Sequence, residues 1–406
     1  MHCAIYLNSR DNKQQVIDNL QKGEYAELLG FSFSATKNVA VYSALTLETF
    51  LADEYRYDRD ALTAGEHRSL ASLSEGEQKR HLLDYLLASK PDAVIVDNVF
   101  DSLDFAGQQM IAQRLNALQK SLPIIQLLSR RRDKLSFIDV VFCIEKNSLV
   151  RDSAKNKYAV PELIGDIPPP AHAVPQLDNL LVSLRDLNVS YDDKAVLNNI
   201  NWDIRAGDFW QLQGPNGSGK STLVQLINGD NTKAYGQNVH LFGRKKGSGE
   251  TLWDIKKNIG CFTRVMVQNF TSTDSVENML ISGFFDSVGL YQKPSAIHKK
   301  LAQQWLSLVG MENYANRSFA RLGAGQQRLV LAMRAMVKHP PLLLLDEPVV
   351  GLDDEDSGQL IALINHMARS RKSAIIYISH RNEPGLKPDA IFELIPSPQG
   401  SSGSIK

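Results

Sequence analysis

Residues 208–227, DFWQLQGPNGSGKSTLVQLI, contain the pattern G-x-x-x-x-G-K-[ST] through Gly214, Gly219, Lys220 and Ser221. Glycines in such a loop let the backbone turn tightly and aim consecutive N–H groups at phosphate oxygens. The positive end of the following helix adds to that attraction. Gly214, Pro215, Asn216, Gly217, Ser218, Gly219, Lys220, Ser221 and Thr222 therefore read as a phosphate cradle. Lys220 is expected to reach the β- and γ-phosphates, and the Ser221 hydroxyl to hold Mg²⁺. Asp346 and Glu347 close the apolar run Leu342–Leu345. Asp346 is suited to a hydrated Mg²⁺, held through water, and Glu347 to polarising an attacking water. His380 ends a second apolar run, SAIIYISH, as a sensor of the γ-phosphate. Tyr191, in LNVSYDDKAVL, offers a ring to stack on adenine. Each of these three features alone is an ordinary strand residue or strand end; the phosphate loop is what gives them a role.

The elements around these residues read as strand, loop and helix. Leu329, Ala332, Met333, Met336 and Val337 recur on one apolar helix face. Pro340 and Pro341 stop that helix, and the apolar run after it suits a strand buried on both faces of a parallel sheet. The chain also repeats. LSEGEQKRHLLDYLLASKPDAVIVDNVFDSLD, from Leu73 to Asp104, aligns without a gap with Leu322 to Asp353. Leu322, Pro340, Asp346 and Asp353 each follow Leu73, Pro91, Asp97 and Asp104 by 249 residues. Between the copies, prolines at 161, 168, 169, 170 and 175 suggest a semi-rigid extended linker. The closing SPQGSSGSIK reads as disordered.

At 406 residues, 43% hydrophobic and 22% charged, the chain suits two globular domains with real cores. Its 45 basic and 45 acidic residues balance, which gives no general attraction to nucleic acid or anionic lipid. Cys3, Cys143 and Cys261 form no pair and no metal-ligand spacing with the histidines, as in a reduced cytosolic protein. The start, MHCAIYLNSRD, has no signal-peptide core. No apolar run approaches the ~20 residues of a membrane span.

GPNGSGKST, LGAGQ, LLLLDEP, GLD and ISH, in that order, resemble the ATP-binding cassette (ABC) ATPases over about residues 180–395. The resemblance implies an ATPase that uses Mg²⁺ with ATP. It makes Leu322–Gln326 a signature segment that closes on the nucleotide of an opposing cassette. Gly323 stands there in place of a serine and Ala324 in place of a glycine, while Gly325 and Gln326 are kept. The resemblance implies a glutamine four residues after Gly260, where this chain has Arg264, and Gln268, four further on, is expected to substitute as a metal ligand. Setting Lys13 against Lys220 puts LNSRDNK where the phosphate loop should be. Leu7, Arg10 and Asn12 replace glycines, Gln14 replaces Ser221, Asn98 replaces Glu347 and Arg130 replaces His380. The chain starts so near this loop that the usual preceding strands and stacking aromatic are missing, as in a truncated N-terminus or a misplaced start codon. The N-terminal signature nevertheless keeps Ser74, Gly76 and Glu77. In head-to-tail cassettes the sound loop would then meet the better signature, leaving one hydrolytic and one structural site.

The expected fold is α/β, with two P-loop NTPase (ABC ATPase) domains in tandem, each a mainly parallel sheet with helices and a helical subdomain. The expected boundaries are 1–146 for a shortened, degenerate cassette, 147–178 for the linker, 179–396 for the intact cassette and 397–406 for the tail. LFGRKKGSGETLWDIKKNIG, residues 241–260, is similar to the ModF/PhrA-type twin-cassette group, associated with molybdate transport. Arg244, Lys245 and Lys246 read there as an exposed basic patch, and Trp253 as core. The expected partners are ATP, an integral-membrane permease, and the second cassette of the same chain, with a homodimer as the alternative. The expected place is the cytoplasm, or the inner face of the plasma membrane. The other functional reading is a soluble twin-cassette switch acting on ribosomes or nucleic acid. Only the cluster Arg130, Arg131, Arg132 and Lys134 favours it, against the neutral charge.

Overall fold

The computed structural model describes residues 2–25, 28–29, 38–57, 69–145, 148–152, 160–163, 165–172, 178–192, 194–270 and 273–406, excluding the side chains of 268 and 269. The chain divides into two compact units, Met1–Lys157 with Val350–Glu355, and Tyr158–Val349 with Asp356–Lys406.

The first unit carries β1 (His2–Tyr6), β2 (Val39–Tyr42), β3 (Ala93–Asp97), β4 (Ile124–Leu128), β5 (Val140–Glu145) and β6 (Ser148–Arg151). They form one sheet in the order β2-β3-β4-β1-β5-β6. The first five strands are parallel and β6 returns antiparallel along β5. Its helices are α1 (Lys13–Lys22), α2 (Ala44–Tyr57), α3 (Glu75–Ala88) and α4 (Phe105–Leu118).

The second unit carries β7 (Leu180–Tyr191), β8 (Lys194–Arg205), β9 (Phe209–Gln213), β10 (Asn238–Leu241), β11 (Arg244–Lys245), β12 (Ile259–Phe262), β13 (Leu342–Asp346), β14 (Ala374–Ile378), β15 (Ala390–Ile395) and β16 (Ser402–Ile405). Its helices are α5 (Lys220–Ile227), α6 (Leu252–Lys256), α7 (Arg264–Asn269), α8 (Val276–Ser282), α9 (Ala296–Leu308), α10 (Ala324–Met336) and α11 (Asp354–Arg369). The main sheet is ordered β12-β13-β14-β9-β15-β16, again parallel except for the last strand. Strand for strand this is the order of the first unit. An antiparallel sheet, β11-β10-β7-β8, packs onto it, with Trp202 of β8 stacked on Phe392 of β15 at 4.3 Å between centroids.

The apolar runs behave as their composition requires. Ala93–Val96 and Leu342–Leu345 are buried along their whole length, since helices cover both faces of a parallel sheet. The stripe Leu329, Ala332, Met333, Met336 and Val337 is buried. Each preceding helix ends in the same way: Lys90 (φ 49°) and His339 (φ 51°) take left-handed backbone just before Pro91 and Pro340.

Four local expectations are corrected. The tail is not disordered: Ser402–Ile405 pairs with β15, and Lys406 bridges to Glu393 at 2.6 Å. Serine and glycine lower the tendency to pack, but a sheet edge needs only backbone groups. The linker does not begin at 147, because Ser148–Arg151 is β6. Further along, Pro168 is buried and its carbonyl accepts from His339 Nε2 at 2.7 Å. Trp253 is 72% exposed; α6 spans five residues and buries Ile255, which puts Trp253 on the opposite face. Lys246 is not part of an exposed patch but is buried against Glu250 at 3.3 Å, while Arg244 and Lys245 stay exposed.

Candidate functional site

β9 runs into the loop Gly214–Gly219, and α5 starts at Lys220. Gly217 (φ 76°) and Gly219 (φ 91°) take left-handed backbone, which costs a side-chain-bearing residue free energy. At Gly219 a Cβ would also lie 2.8 Å from Leu197 Cδ2, so both backbone and space require glycine. The buried Lys220 ammonium folds back over the loop and donates to the carbonyls of Gly214 (2.7 Å) and Pro215 (2.9 Å). Ser221, in the first turn of α5, is exposed.

In the sheet order β13-β14-β9, three neighbouring strands deliver Asp346, His380 and the loop to one edge. Glu347 follows β13 with left-handed backbone (φ 48°). Its carboxylate lies 3.0 Å from His380 Nδ1. His380 is buried, and its Nε2 has no hydrogen-bond partner among the described residues. Burial pushes the Asp346 carboxyl up to about 6; the neighbouring Glu347 charge adds to this and Lys220 opposes it. Burial also works to raise Glu347, but the His380 hydrogen bond and the charges of His380, Arg264 and Lys220 outweigh it and hold Glu347 below its ordinary value. Two adjacent carboxylates are thus driven apart in proton affinity, and the one bound to His380 stays ionised.

Tyr191 ends β7, 40% exposed, with its hydroxyl accepting from Asn231 Nδ2 at 2.6 Å. The side chain of Gln268 lies outside the described residues. The Ser221 hydroxyl and the Asp346 carboxylate are hard oxygen donors, suited to Mg²⁺. Among the described residues no cluster of three or more His, Cys, Asp or Glu could hold a metal.

In the signature segments, Ser74 caps α3: its hydroxyl and backbone amide both contact Glu77, at 2.6 and 2.9 Å. Gly323 opens α10 with no hydroxyl, and Gln326 Oε1 accepts from its amide at 3.4 Å. Gly325 is a packing position, since a Cβ there would lie 1.9 Å from Asp356 Oδ2. At Gly76 the nearest atom to a Cβ would be 3.9 Å away.

Sheet register fixes which residues of the first unit correspond to these. His2 pairs with Ile124 and that with Val94, as Phe209 pairs with Ile375 and that with Leu343. Counting equally from His2 and Phe209 reaches Lys13 and Lys220, so that alignment holds. The alignment of Arg130 with His380 does not. Asp97 pairs with Leu127 and Asp346 with Ile378, so the residue two beyond, Ser129, is the counterpart of His380. Asn98 Nδ2 donates to Ser129 Oγ at 2.9 Å, repeating the Glu347–His380 contact in uncharged form. The similar endings LLSR and YISH hid this shift; counting from the paired aspartates would have revealed it. Arg130 is buried.

The degenerate loop follows a different path. Asn12, where Gly219 stands in the other copy, has φ −81°. Asn8 N donates to Asp11 Oδ2 at 2.8 Å, Arg10 N to Asn8 Oδ1 at 2.8 Å and Gln15 N to Asn12 Oδ1 at 3.2 Å. Lys13 turns to Asp97 at 3.0 Å. Burial raises the Asp97 carboxyl and the Lys13 charge opposes that rise.

Comparison with known proteins agrees with this geometry. Residues 197–350 match the family described as ABC transporter. The chain is 37% identical over 340 residues to the ABC transporter ATP-binding protein ModF of Escherichia coli, covering 79% of this chain and 69% of that one. It is 28% identical over 397 residues to an uncharacterised ABC transporter ATP-binding protein of Schizosaccharomyces pombe, covering 87% and 79%. Among solved structures, the complex of archaeal ribosomal stalk protein aP1 with the ribosome recycling factor aABCE1 aligns with a TM-score of 0.63 at 15% identity. The match covers 99% of this chain and 85% of that one. At that identity the likeness is one of fold, and it spans both units. With its phosphate loop, its duplicated sheets and a ModF-like sequence over most of its length, the chain belongs to the ATP-binding cassette ATPases.

Proposed function

We propose that the second unit holds the hydrolytic site and the first a degenerate one, and that turnover energises a separate membrane permease from its cytoplasmic face. The Glu347–His380 contact carries the site assignment, because it sets an ionised carboxylate and an orienting imidazole beside the phosphate loop. Gly214–Thr222 would bind the phosphates, Lys220 would meet the β- and γ-phosphates, and Tyr191 would stack on adenine. Ser221, and Asp346 through water, would hold Mg²⁺, which supplies charge neutralisation at the β- and γ-oxygens. Glu347 would accept the proton of the attacking water and His380 would hold Glu347 in place. The asymmetry of the signatures, with serine kept at 74 and replaced at 323, supports pairing of the sound loop with the first unit's signature, within one chain or in a homodimer.

The transport reading is supported by the name of the Escherichia coli relative, and molybdate-type import by the resemblance of residues 241–260. Among the described residues no helix is long and apolar enough to cross a membrane. The basic cluster that favours a ribosomal or nucleic-acid role is engaged internally. Arg130 is buried, Arg131 pairs with Asp152 and lies over the Tyr6 ring at 4.2 Å, and Lys134 is bound to the Ile138 carbonyl. Affinity capture from cells, with and without ATP, tests the partner. Enrichment of an integral-membrane protein is expected, and enrichment of ribosomal material in its place would establish the other reading.

A further inference from the structure

Arg264 opens α7 two residues beyond the end of β12, and β12 lies beside β13 with Phe262 opposite Leu345. The chain therefore turns into α7 alongside Asp346 and Glu347, at the sheet edge that also carries Lys220 and His380. β12 is held closely there: at Gly260 a Cβ would lie 2.1 Å from the Ala335 carbonyl oxygen of α10. Arg264 is exposed, and its charge lies close enough to act on the Glu347 carboxylate, after the larger contribution of His380. Lys220, at the same edge, is bound to two loop carbonyls. A guanidinium keeps its charge at any working pH and presents a planar fork that matches phosphate oxygens. Where the resemblance has a neutral glutamine, this chain has a permanent cation.

We propose that Arg264 is a catalytic residue of the second unit's site, its guanidinium contacting the terminal phosphate and stabilising the charge that builds there as water attacks. The inference rests on the assignment of hydrolysis to this site. In that step the water oxygen forms a bond to the γ-phosphorus and the bond to the bridging oxygen breaks. The electron pair leaves on ADP, and the water proton passes to Glu347. Arg264 exchanges no proton; it stabilises charge.

The test is steady-state ATP hydrolysis by the full-length chain, with melting followed for every variant. Arg264→Ala should lower kcat about a hundredfold and change the KM for Mg-ATP less than about threefold. Arg264→Lys should keep more activity than Arg264→Gln. Guanidinium ion at low millimolar concentration should restore part of the alanine variant's rate and leave the wild-type rate unchanged. An alanine variant within twofold of wild type would overturn the proposal, as would a raised KM at unchanged kcat. Lys220→Ala and Glu347→Gln belong in the same assay. If both stay active, the site assignment itself is wrong. If both are inactive while Arg264→Ala is not, only the role of Arg264 is lost.

Discussion

The loops Leu7–Lys13 and Gly214–Lys220 occupy the same place in two sheets of identical strand order, yet they arrange their charges in opposite ways. In the second unit glycine permits left-handed backbone, and the amides of Gly217 and Gly219 make no hydrogen bond to an internal acceptor among the described residues. In the first unit Asn8 and Asp11 accept the loop's own amides, Asn12 accepts that of Gln15 in α1, and Lys13 turns inward to Asp97. On the proposed reading, one loop would receive an external anion and the other carries its own. A phosphate site can thus be lost without unfolding, provided each donor finds an internal acceptor.

The strongest way to break this contrast is to remove each lysine. Lys220→Ala should reduce ATP hydrolysis at least a hundredfold, whereas Lys13→Ala should change it less than about threefold, under ~0.7 kcal/mol of barrier. Comparable losses would mean that the first loop still works. Next in size is Ser74. If the first unit's signature completes the working site, Ser74→Arg should cut turnover more than about tenfold, while Gly323→Arg should be milder. Ser74→Asp would keep the cap on α3 but set a carboxylate against phosphate, so full activity in that variant would reduce Ser74 to its capping role. Calorimetric titration of Glu347→Gln with Mg-ATP should find one tight site per chain, and two equivalent sites would erase the distinction between the loops.

The smallest effect sharpens the contrast most. Lys13→Ala leaves Asp97 buried without its cation, and should destabilise the protein by about 1–3 kcal/mol near neutral pH. Asp97 already has a raised proton affinity in the folded state, and losing Lys13 raises it further. The penalty should therefore be full above the carboxylate range and fade as pH falls and Asp97 takes up a proton. Lys220→Ala removes two hydrogen bonds to loop carbonyls and a charge that opposes the rise of Asp346, so its melting should also fall, by less than that of Lys13→Ala, which breaks a direct ion pair. Thermal melts of both variants between about pH 4 and 8 would decide this.

Much of the molecule was legible in sequence because its signals were redundant. The repeat, the helix stripe of α10 and the phosphate loop each rest on several residues, and the structure bears out the duplicated α/β fold. The misreadings rest on one signal each. Glycine and serine at the C-terminus did not reveal a partner strand, because edge pairing runs through backbone. Trp253 read as core from its chemistry alone, although α6 has too few turns to bury a second face. Ser129 was missed because resemblance of short endings outweighed strand register. The nearness of Arg264 to Glu347 depends on β12 lying beside β13, a long-range pairing invisible to local patterns.

The residue after the paired aspartates is left-handed in both units, Asn98 at φ 43° and Glu347 at φ 48°. Asparagine visits that region at low cost; glutamate does not. On the proposed assignment, the second unit keeps its reactive carboxylate in an unfavourable backbone state, while the first keeps the bend with a residue that tolerates it. Natural selection, once released from chemistry in one copy, would be free to relieve local strain there and keep the scaffold. If the proposed assignment holds, the duplicated cassette would record what catalysis demands of a backbone, beside a copy that need not meet the demand.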